Sequence, residues 1–357
     1  MHLLRQFDYR ALARALACGA VGGAVFAWFN LPLAWMIGAM CATTAAALAG
    51  VDVKMPQPLR QLMIAVLGVM LGSAFRPEIV EQAAQWSVSL ALLFVYVVVV
   101  AALSALYFRK VTRYDATTAY FSAIPGGLNE MIMVGSAMGG DDRSIALTHA
   151  SRILLVVLII PFWFRLVEGY ECSPGAAGIP FAAIPAFDLG VLTLCGIVGF
   201  VAARLLRLPA AALVGPMLAS AVVHLAGITE SKLPSELIVV AQVVVGTGIG
   251  CRFAGVALAR VLRAIVAAIG STVIMLGVGV AFAFALNAML GLPVAALVLA
   301  FAPGGLAEMT LIALALGVDP AFVSTHHVVR IFLGVVLAPR AFRLFAPRLG
   351  VGRGRGD

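Results

Sequence analysis

Ile124-Pro125-Gly126-Gly127-Leu128-Asn129-Glu130-Met131 returns 178 positions later as Ala302-Pro303-Gly304-Gly305-Leu306-Ala307-Glu308-Met309. Proline removes a backbone donor and biases the residue before it away from helix. The two glycines that follow allow close approach and backbone geometry that side chains forbid. Each stretch therefore breaks an apolar helix, and the break recurs in two halves of one chain. The same offset pairs Pro56 with Pro234, Gly68 with Gly246, Gly72 with Gly250 and Phe75 with Phe253. It also pairs Asp141 with Asp319, His149 with His327, Arg152 with Arg330 and Pro161 with Pro339. Nearer the N-terminus the offset becomes 177, matching Leu31-Pro32, Gly38 and Met40 to Leu208-Pro209, Gly215 and Met217. One register held over more than a hundred residues is a duplication.

The surroundings of the breaks are apolar. Of 357 residues 63% are hydrophobic and 11% charged, where a soluble domain carries roughly a quarter charged. The mean hydropathy is +1.08. Long runs such as Ser87 to Phe108 carry no charge, and a run near 20 residues crosses a bilayer as a helix. No period-2 alternation suggests a barrel. The net charge of +8 sits in short clusters between apolar runs, the pattern of cytoplasmic loops rather than of a nucleic-acid surface. Cys18, Cys41, Cys172, Cys195 and Cys251 have no C-x-x-C spacing and read as small apolar residues, with Cys172 in a polar loop. Arg5, Arg10 and Arg14 precede Ala15 to Phe29 without a good cleavage site, so the first helix reads as retained.

The fold class expected is an all-α polytopic membrane protein of two homologous repeats. Helices are expected at about 11–29, 32–50, 58–75, 84–108 and 144–167, with a broken element at about 115–139. The second half repeats them at about 188–206, 209–227, 235–253, 262–287, 293–316 and 320–345. Residues 1–168 form the first repeat, 169–187 a connecting loop, 188–345 the second repeat and 346–357 a basic tail. Equivalent loops exchange their positive charge. Arg109, Lys110 and Arg113 correspond to Asn287, Ala288 and Gly291, while Arg252, Arg260 and Arg263 correspond to Ala74, Gln82 and Gln85. Arg204 and Arg207 likewise stand against the neutral turn at Phe29 and Asn30. By the positive-inside rule this makes the repeats inverted. The arginine-bearing N-terminus and the C-terminus with Arg340, Arg343, Arg348, Arg353 and Arg355 would both be cytoplasmic, and Glu168, Glu171 and Asp188 outside. Five full crossings per repeat fit if each Pro-Gly-Gly element is re-entrant. A twelve-span parallel duplication is the alternative.

The broken elements carry the chemistry. Irregular backbone at membrane depth is tolerated only inside protein or against a wet cavity. Half-helices starting near Gly127 and Gly305 would offer free N–H groups and a positive dipole end to an anion. Pro125, Gly126, Gly127, Asn129, Pro303, Gly304 and Gly305 are therefore candidate substrate-binding residues. Asn129 has Ala307 as its counterpart, so a site using it is asymmetric. Glu130 and Glu308, one turn into the half-helices, are candidates for proton coupling, since an ionisable residue in a span is costly. Capping of the half-helix or pairing with Arg152 and Arg330 would explain them structurally. His149-x-x-Arg152 and His327-x-x-Arg330 each share one helical face. Arg152 and Arg330 could hold a carboxylate or phosphate, or cap carbonyls of the break; His149 and His327 are further coupling candidates. His326 adjoins His327 in the second half alone. Gly68-x-x-x-Gly72 and Gly246-x-Gly248-x-Gly250 read as helix-packing patterns. No phosphate-binding loop, zinc-protease motif or metal-ligand cluster is evident, so no cofactor, no metal and no catalytic residue is expected, and the chain is not expected to be an enzyme.

The paired Pro-Gly-Gly-Leu-x-Glu-Met segments, each followed by His-x-x-Arg, resemble the AbrB-duplication membrane protein family over about Arg10 to Pro347. Members carry labels such as ammonia monooxygenase and AbrB family transcriptional regulator, and the resemblance implies no agreed catalytic residues. A monooxygenase needs metal ligands, and a DNA-binding regulator needs a soluble basic module; neither is present in the sequence. The reading favoured is a secondary transporter, ion- or proton-coupled, of a small anionic solute in a bacterial-type inner membrane. The alternatives are a membrane regulator or sensor acting on gene expression indirectly, and a membrane subunit of an oxidase. Its partners would be a small-molecule or ion substrate and the lipid bilayer, with no nucleic acid. A homodimer is suggested by analogy alone. Inverted repeats predict that a cysteine at Gly291 labels from outside, and one at Lys110 only after permeabilisation; labelling from one side would make the repeats parallel.

Overall fold

A computed structural model describes residues 8–76, 85–170 and 178–345. Arg5, Gln82, Glu171, Cys172, Arg348, Arg353, Arg355 and the rest of the basic tail lie outside the described residues. The described residues form α-helices and no β-strand. In chain order the helices of the first half are α1 (Tyr9–Trp28), α2 (Ala34–Leu48), α3 (Gln57–Gly72), α4 (Trp86–Tyr107), α5 (Ala116–Ala123), α6 (Leu128–Ala137) and α7 (Asp142–Leu166). Those of the second half are α8 (Ala186–Leu205), α9 (Ala211–Leu225), α10 (Ser235–Gly250), α11 (Leu258–Leu290), α12 (Val294–Phe301), α13 (Leu306–Ala315) and α14 (Pro320–Phe345).

Among the described residues seven helices are long and apolar enough to cross a membrane: α1, α4, α7, α8, α10, α11 and α14. By length, three of the ten expected crossings, α2, α3 and α9, fall short. They have 15, 16 and 15 residues, about 22–24 Å of helix against roughly 30 Å of hydrocarbon. Helix α11 runs longer than its expected bounds, through 33 residues. Helix α4 continues as a π-helical turn, Phe108–Thr112, and stops at Arg113 with φ 56°.

Local chemistry sets the ends. The Asp8 carboxylate accepts N–H bonds from Arg10 and Ala11, both 3.1 Å, at the start of α1. The bond from Ala11, first of all, holds that carboxyl below its ordinary range. Asp115 caps α5 in the same way, through Thr117 and Thr118 at 3.0 Å. Pro56 and Pro234, matched in the sequence, are the N-cap residues of α3 and α10. Asp141 and Asp319, also matched, accept N–H bonds from Arg143 (3.3 Å) and Ala321 (2.8 Å) where α7 and α14 begin. Leu33 and Ala210, 177 positions apart, adopt the left-handed conformation before α2 and α9.

The chain folds into two compact units, and neither is a sequential half. One comprises Met1–Arg76, Leu158–Val261 and Leu314–Gly317; the other comprises Pro77–Val157, Leu262–Ala313 and Val318–Asp357. The halves of the sequence and the units of the structure are thus different divisions of the chain.

The first unit is built on α1–α3 and α8–α10. Helix α2 packs on α1 and α10, and α9 packs on α8 and α3, so the third helix of each half lies on the second helix of the other. Glycines make these contacts. A methyl on Gly199 of α8 would lie 2.5 Å from the Gly215 carbonyl oxygen of α9. One on Gly68 of α3 would lie 2.5 Å from the Leu213 carbonyl oxygen, and one on Gly72 2.5 Å from Ser220 Cβ. Gly246 and Gly250 of α10 meet Met36 and Thr43 of α2 in the same manner. Both glycine patterns noted in the sequence are therefore helix-packing seams, where backbones approach in van der Waals contact. Cys18, Cys41, Cys195 and Cys251 are free thiols.

The second unit contains α4–α6, the start of α7, most of α11, α12, α13 and α14. Phe121, Ile124, Met131, Ile145, Ala338 and Phe342 form one buried cluster. Tyr96 is fully buried with its ring edge-on to Phe301 (5.2 Å) and Phe282 (5.8 Å), and its hydroxyl donates to the Met275 carbonyl at 3.3 Å. The seams yield a stability test. Gly72→Leu or Gly199→Leu overpacks a backbone contact and is expected to cost about 1–3 kcal/mol. Gly190→Leu, with nothing within 4 Å of its added Cβ, is expected to melt like the parent in detergent.

Candidate functional site

Both breaks have the same construction. Helix α5 ends at Ala123 and Ile124 is extended (φ −73°, ψ 128°); Gly127, also extended (φ −65°, ψ 134°), is the N-cap residue of α6. In the second half α12 ends at Phe301, Ala302 is extended (φ −59°, ψ 139°), and α13 starts at Leu306. The side chains of Met131 and Met309 lie over Gly126 and Gly304. Glu130 and Glu308 are the third residues of α6 and α13, and each folds back over its own break glycine. A Cβ on Gly127 would stand 2.9 Å from Glu130 Cδ, and one on Gly305 2.8 Å from Glu308 Cδ. A carboxylate at this position favours the positive end of the half-helix. Glu308 is buried and Glu130 half-buried, while Asn129 is exposed and its counterpart Ala307 buried.

A histidine and an arginine tie each break to a long helix. In the first half His149 Nε2–H donates to the Phe121 carbonyl (2.9 Å), and Arg152 donates to His149 Nδ1 (2.9 Å) and to the Ile124 carbonyl (3.4 Å). In the second half His327 Nε2–H donates to the Leu299 carbonyl (2.9 Å). Arg330 donates to His327 Nδ1 (2.9 Å), to the Ala302 carbonyl and to the Gly304 carbonyl (2.6 Å). Guanidinium has donors and no acceptor, and a carbonyl only accepts. The geometry therefore requires a neutral imidazole protonated at Nε2, whose lone pair at Nδ1 is already engaged. All four side chains are 0–2% exposed.

The guanidiniums retain donors in reserve. Arg152 Nε and Arg330 Nε are buried without a hydrogen-bond partner. Among the described residues neither arginine forms an ion pair with an acidic side chain. Arg152 lies within electrostatic range of Arg330 and of Tyr96. Three buried hydroxyls of the first half, Ser122 next to Phe121, Thr148 next to His149 and Ser151 next to Arg152, are likewise without partners. A serine or threonine in an apolar helix commonly bonds a carbonyl one turn back, as Thr44 and Thr310 do with Met40 and Leu306. Residue type alone gives no sign of the exceptions. Among the described residues no three His, Cys, Asp or Glu side chains converge as a metal site.

His326 takes a separate place. Its Nε2 lies 2.9 Å from Ser89 Oγ and its Nδ1 2.8 Å from the Phe322 carbonyl oxygen, with its ring 4.1 Å from that of Phe322. The clamp itself is testable. His327→Ala strands the Leu299 carbonyl and one Arg330 donor and is expected to destabilise by about 1–3 kcal/mol for each stranded group. His149→Ala should match it; the check is denaturant unfolding in detergent.

The comparisons agree over most of the chain. The family model described as "Transition state regulatory protein AbrB" matches residues 35–346. A Bacillus subtilis (strain 168) protein, "Uncharacterized protein YhjN", is 28% identical over 351 residues, covering 92% of this chain and 91% of the relative. The Escherichia coli (strain K12) protein "Putative regulator AbrB" is 26% identical over 323 residues, covering 89% and 92%. With the family matched from α2 to beyond α14, the chain belongs to the AbrB family.

Proposed function

We propose that this protein is a multi-pass inner-membrane secondary transporter of a small anionic solute, with both termini cytoplasmic and its two repeats inverted. The observation that carries the reading is the pair of buried guanidiniums at the breaks, each with an Nε lacking a partner and without an acidic side chain to neutralise it. Taking an ion out of water costs several kcal/mol unless a counter-charge and hydrogen bonds offset it. Carbonyls of the break offset part of that cost, and an arriving anion would supply the rest. The Pro125-Gly126-Gly127 and Pro303-Gly304-Gly305 segments, with Asn129 on one side, would contribute half-helix N–H groups. Glu130 and Glu308 are the better coupling candidates. His149 and His327 have their lone pairs occupied by arginine and would instead orient it.

A regulator acting indirectly, through the transported solute or a soluble partner, is the second reading, favoured by the name of the Escherichia coli relative. Proteoliposomes separate the two. Arg152→Gln and Arg330→Gln are each expected to lower anion affinity more than a hundredfold, since removing one member of a buried charge pair costs about 3–5 kcal/mol. Glu130→Gln with Glu308→Gln is expected to keep anion binding and abolish uptake driven by a pH gradient. Uptake that is indifferent to both sets would sink the transporter reading.

A further inference from the structure

Helix α9 ends beside the loop, residues 226–234, that leads into α10. His224, in the last turn of α9 and buried, meets a carbonyl oxygen at each of its ring nitrogens. Nδ1 lies 2.7 Å from the Ser220 carbonyl oxygen, and Nε2 lies 3.1 Å from that of Ser231 in the loop. A carbonyl only accepts, and a neutral imidazole has one N–H. The Ser220 hydroxyl stands 3.3 Å from Nδ1, but its proton is committed to the Val69 carbonyl at 2.8 Å. A bare Nδ1 would also set its lone pair against a carbonyl oxygen at 2.7 Å. Both bonds form together only when the ring carries both protons. His149 and His327 are the reverse case, because an arginine donates to each Nδ1 and the ring is neutral.

The surroundings suit a cation. The C-terminal end of a helix favours positive charge. The Ser231 hydroxyl donates to the Asp188 carboxylate of α8 at 2.6 Å, so a negative charge is tied to the same loop residue. The other ionisable groups on the elements around the ring are Arg76 beyond α3, Glu230 and Lys232 of the loop, and Glu236 of α10, which accepts from the Phe181 N–H. Among the described residues none is ion-paired with His224.

We infer that His224 is a proton-operated latch: its imidazolium pins the 226–234 loop to the end of α9, and loss of the Nε2 proton frees the Ser231 carbonyl and with it the loop. The neutral ring keeps the proton on Nδ1, where the bond is shorter, and the loop carbonyl turns to water. Histidine changes charge between roughly pH 5 and 8, so the loop is held at the acid end and released as pH rises. The device belongs to the second repeat. Leu48-Ala49-Gly50-Val51 matches Leu225-Ala226-Gly227-Ile228 at the offset of 177, which sets Ala47 opposite His224. In the orientation proposed from loop charge, Asp188 and this loop face outside, and the latch answers external pH. It does not depend on which solute is carried.

The experiment places a spin label at Glu230→Cys in the full chain, free of other cysteines and held in nanodiscs. Label mobility is followed by paramagnetic resonance across the range of roughly pH 5 to 8 in which histidine titrates. The ratio of immobilised to mobile signal is expected to fall as pH rises, by up to about tenfold per pH unit, the limit for one proton. His224→Gln is expected to abolish that dependence. Ring-nitrogen NMR of the labelled protein is a second test if His224→Gln fails to fold. The histidine broadened by the label is expected to carry protons on both nitrogens while the loop is immobile. Mobility that ignores pH would overturn the inference. So would a pH dependence that survives His224→Gln, as titration of Asp188 or Glu236 would give, or a ring with one bare nitrogen while the loop is held.

Discussion

A helix broken in an apolar interior leaves carbonyls that must be bonded, and here a guanidinium oriented by a neutral imidazole bonds them. The rest of the second unit follows from that requirement. Arginine reaches the break from a neighbouring helix and carries enough donors to serve several acceptors at once. Histidine at i−3 is close enough to accept from it while its other nitrogen satisfies a carbonyl of the short helix before the break. Glycine at the break leaves room for the glutamate that folds back over it.

Satisfying the carbonyls leaves a charge. Arg330 bonds two break carbonyls and Arg152 one, yet each retains an Nε without a partner. Buried donors of this kind are rare in native interiors and call for a ligand, water or function to explain them. The difference between the two arginines also makes the sites unequal despite their shared pattern. Ser122, Thr148 and Ser151 accompany Arg152, and their counterparts Ala300, His326 and Val329 accompany Arg330. The first break therefore has more unsatisfied polar atoms around it.

The first unit is held by different means. Its helices meet through glycines and through short buried side chains, with backbone oxygens against Cα atoms. In an apolar solvent, where burying more hydrocarbon gains little, close packing of small residues is what holds helices together. Ser220 adds a hydrogen bond from its hydroxyl to the Val69 carbonyl at 2.8 Å, joining α9 to α3.

Much of this was legible in the residues. Apolar runs, Pro-Gly-Gly breaks and the i, i+3 spacing of His and Arg are local properties. The chain determined by itself where apolar helices are interrupted, which residues share a face, and that Asp141 and Asp319 or Pro56 and Pro234 occupy matching positions, while several helix ends fell elsewhere than expected. Three things needed the folded chain. Helix α3 packs on α9 and helix α10 on α2, so the compact units cut across the sequential halves of the chain. Each arginine selects carbonyls 26 or 28 positions away. Its Nε and the neighbouring hydroxyls remain without partners. Local sequence fixes backbone geometry and side-chain chemistry, but a hydrogen-bond partner across helices is decided by packing, because only the packed fold determines which donor and acceptor come within 3 Å of each other.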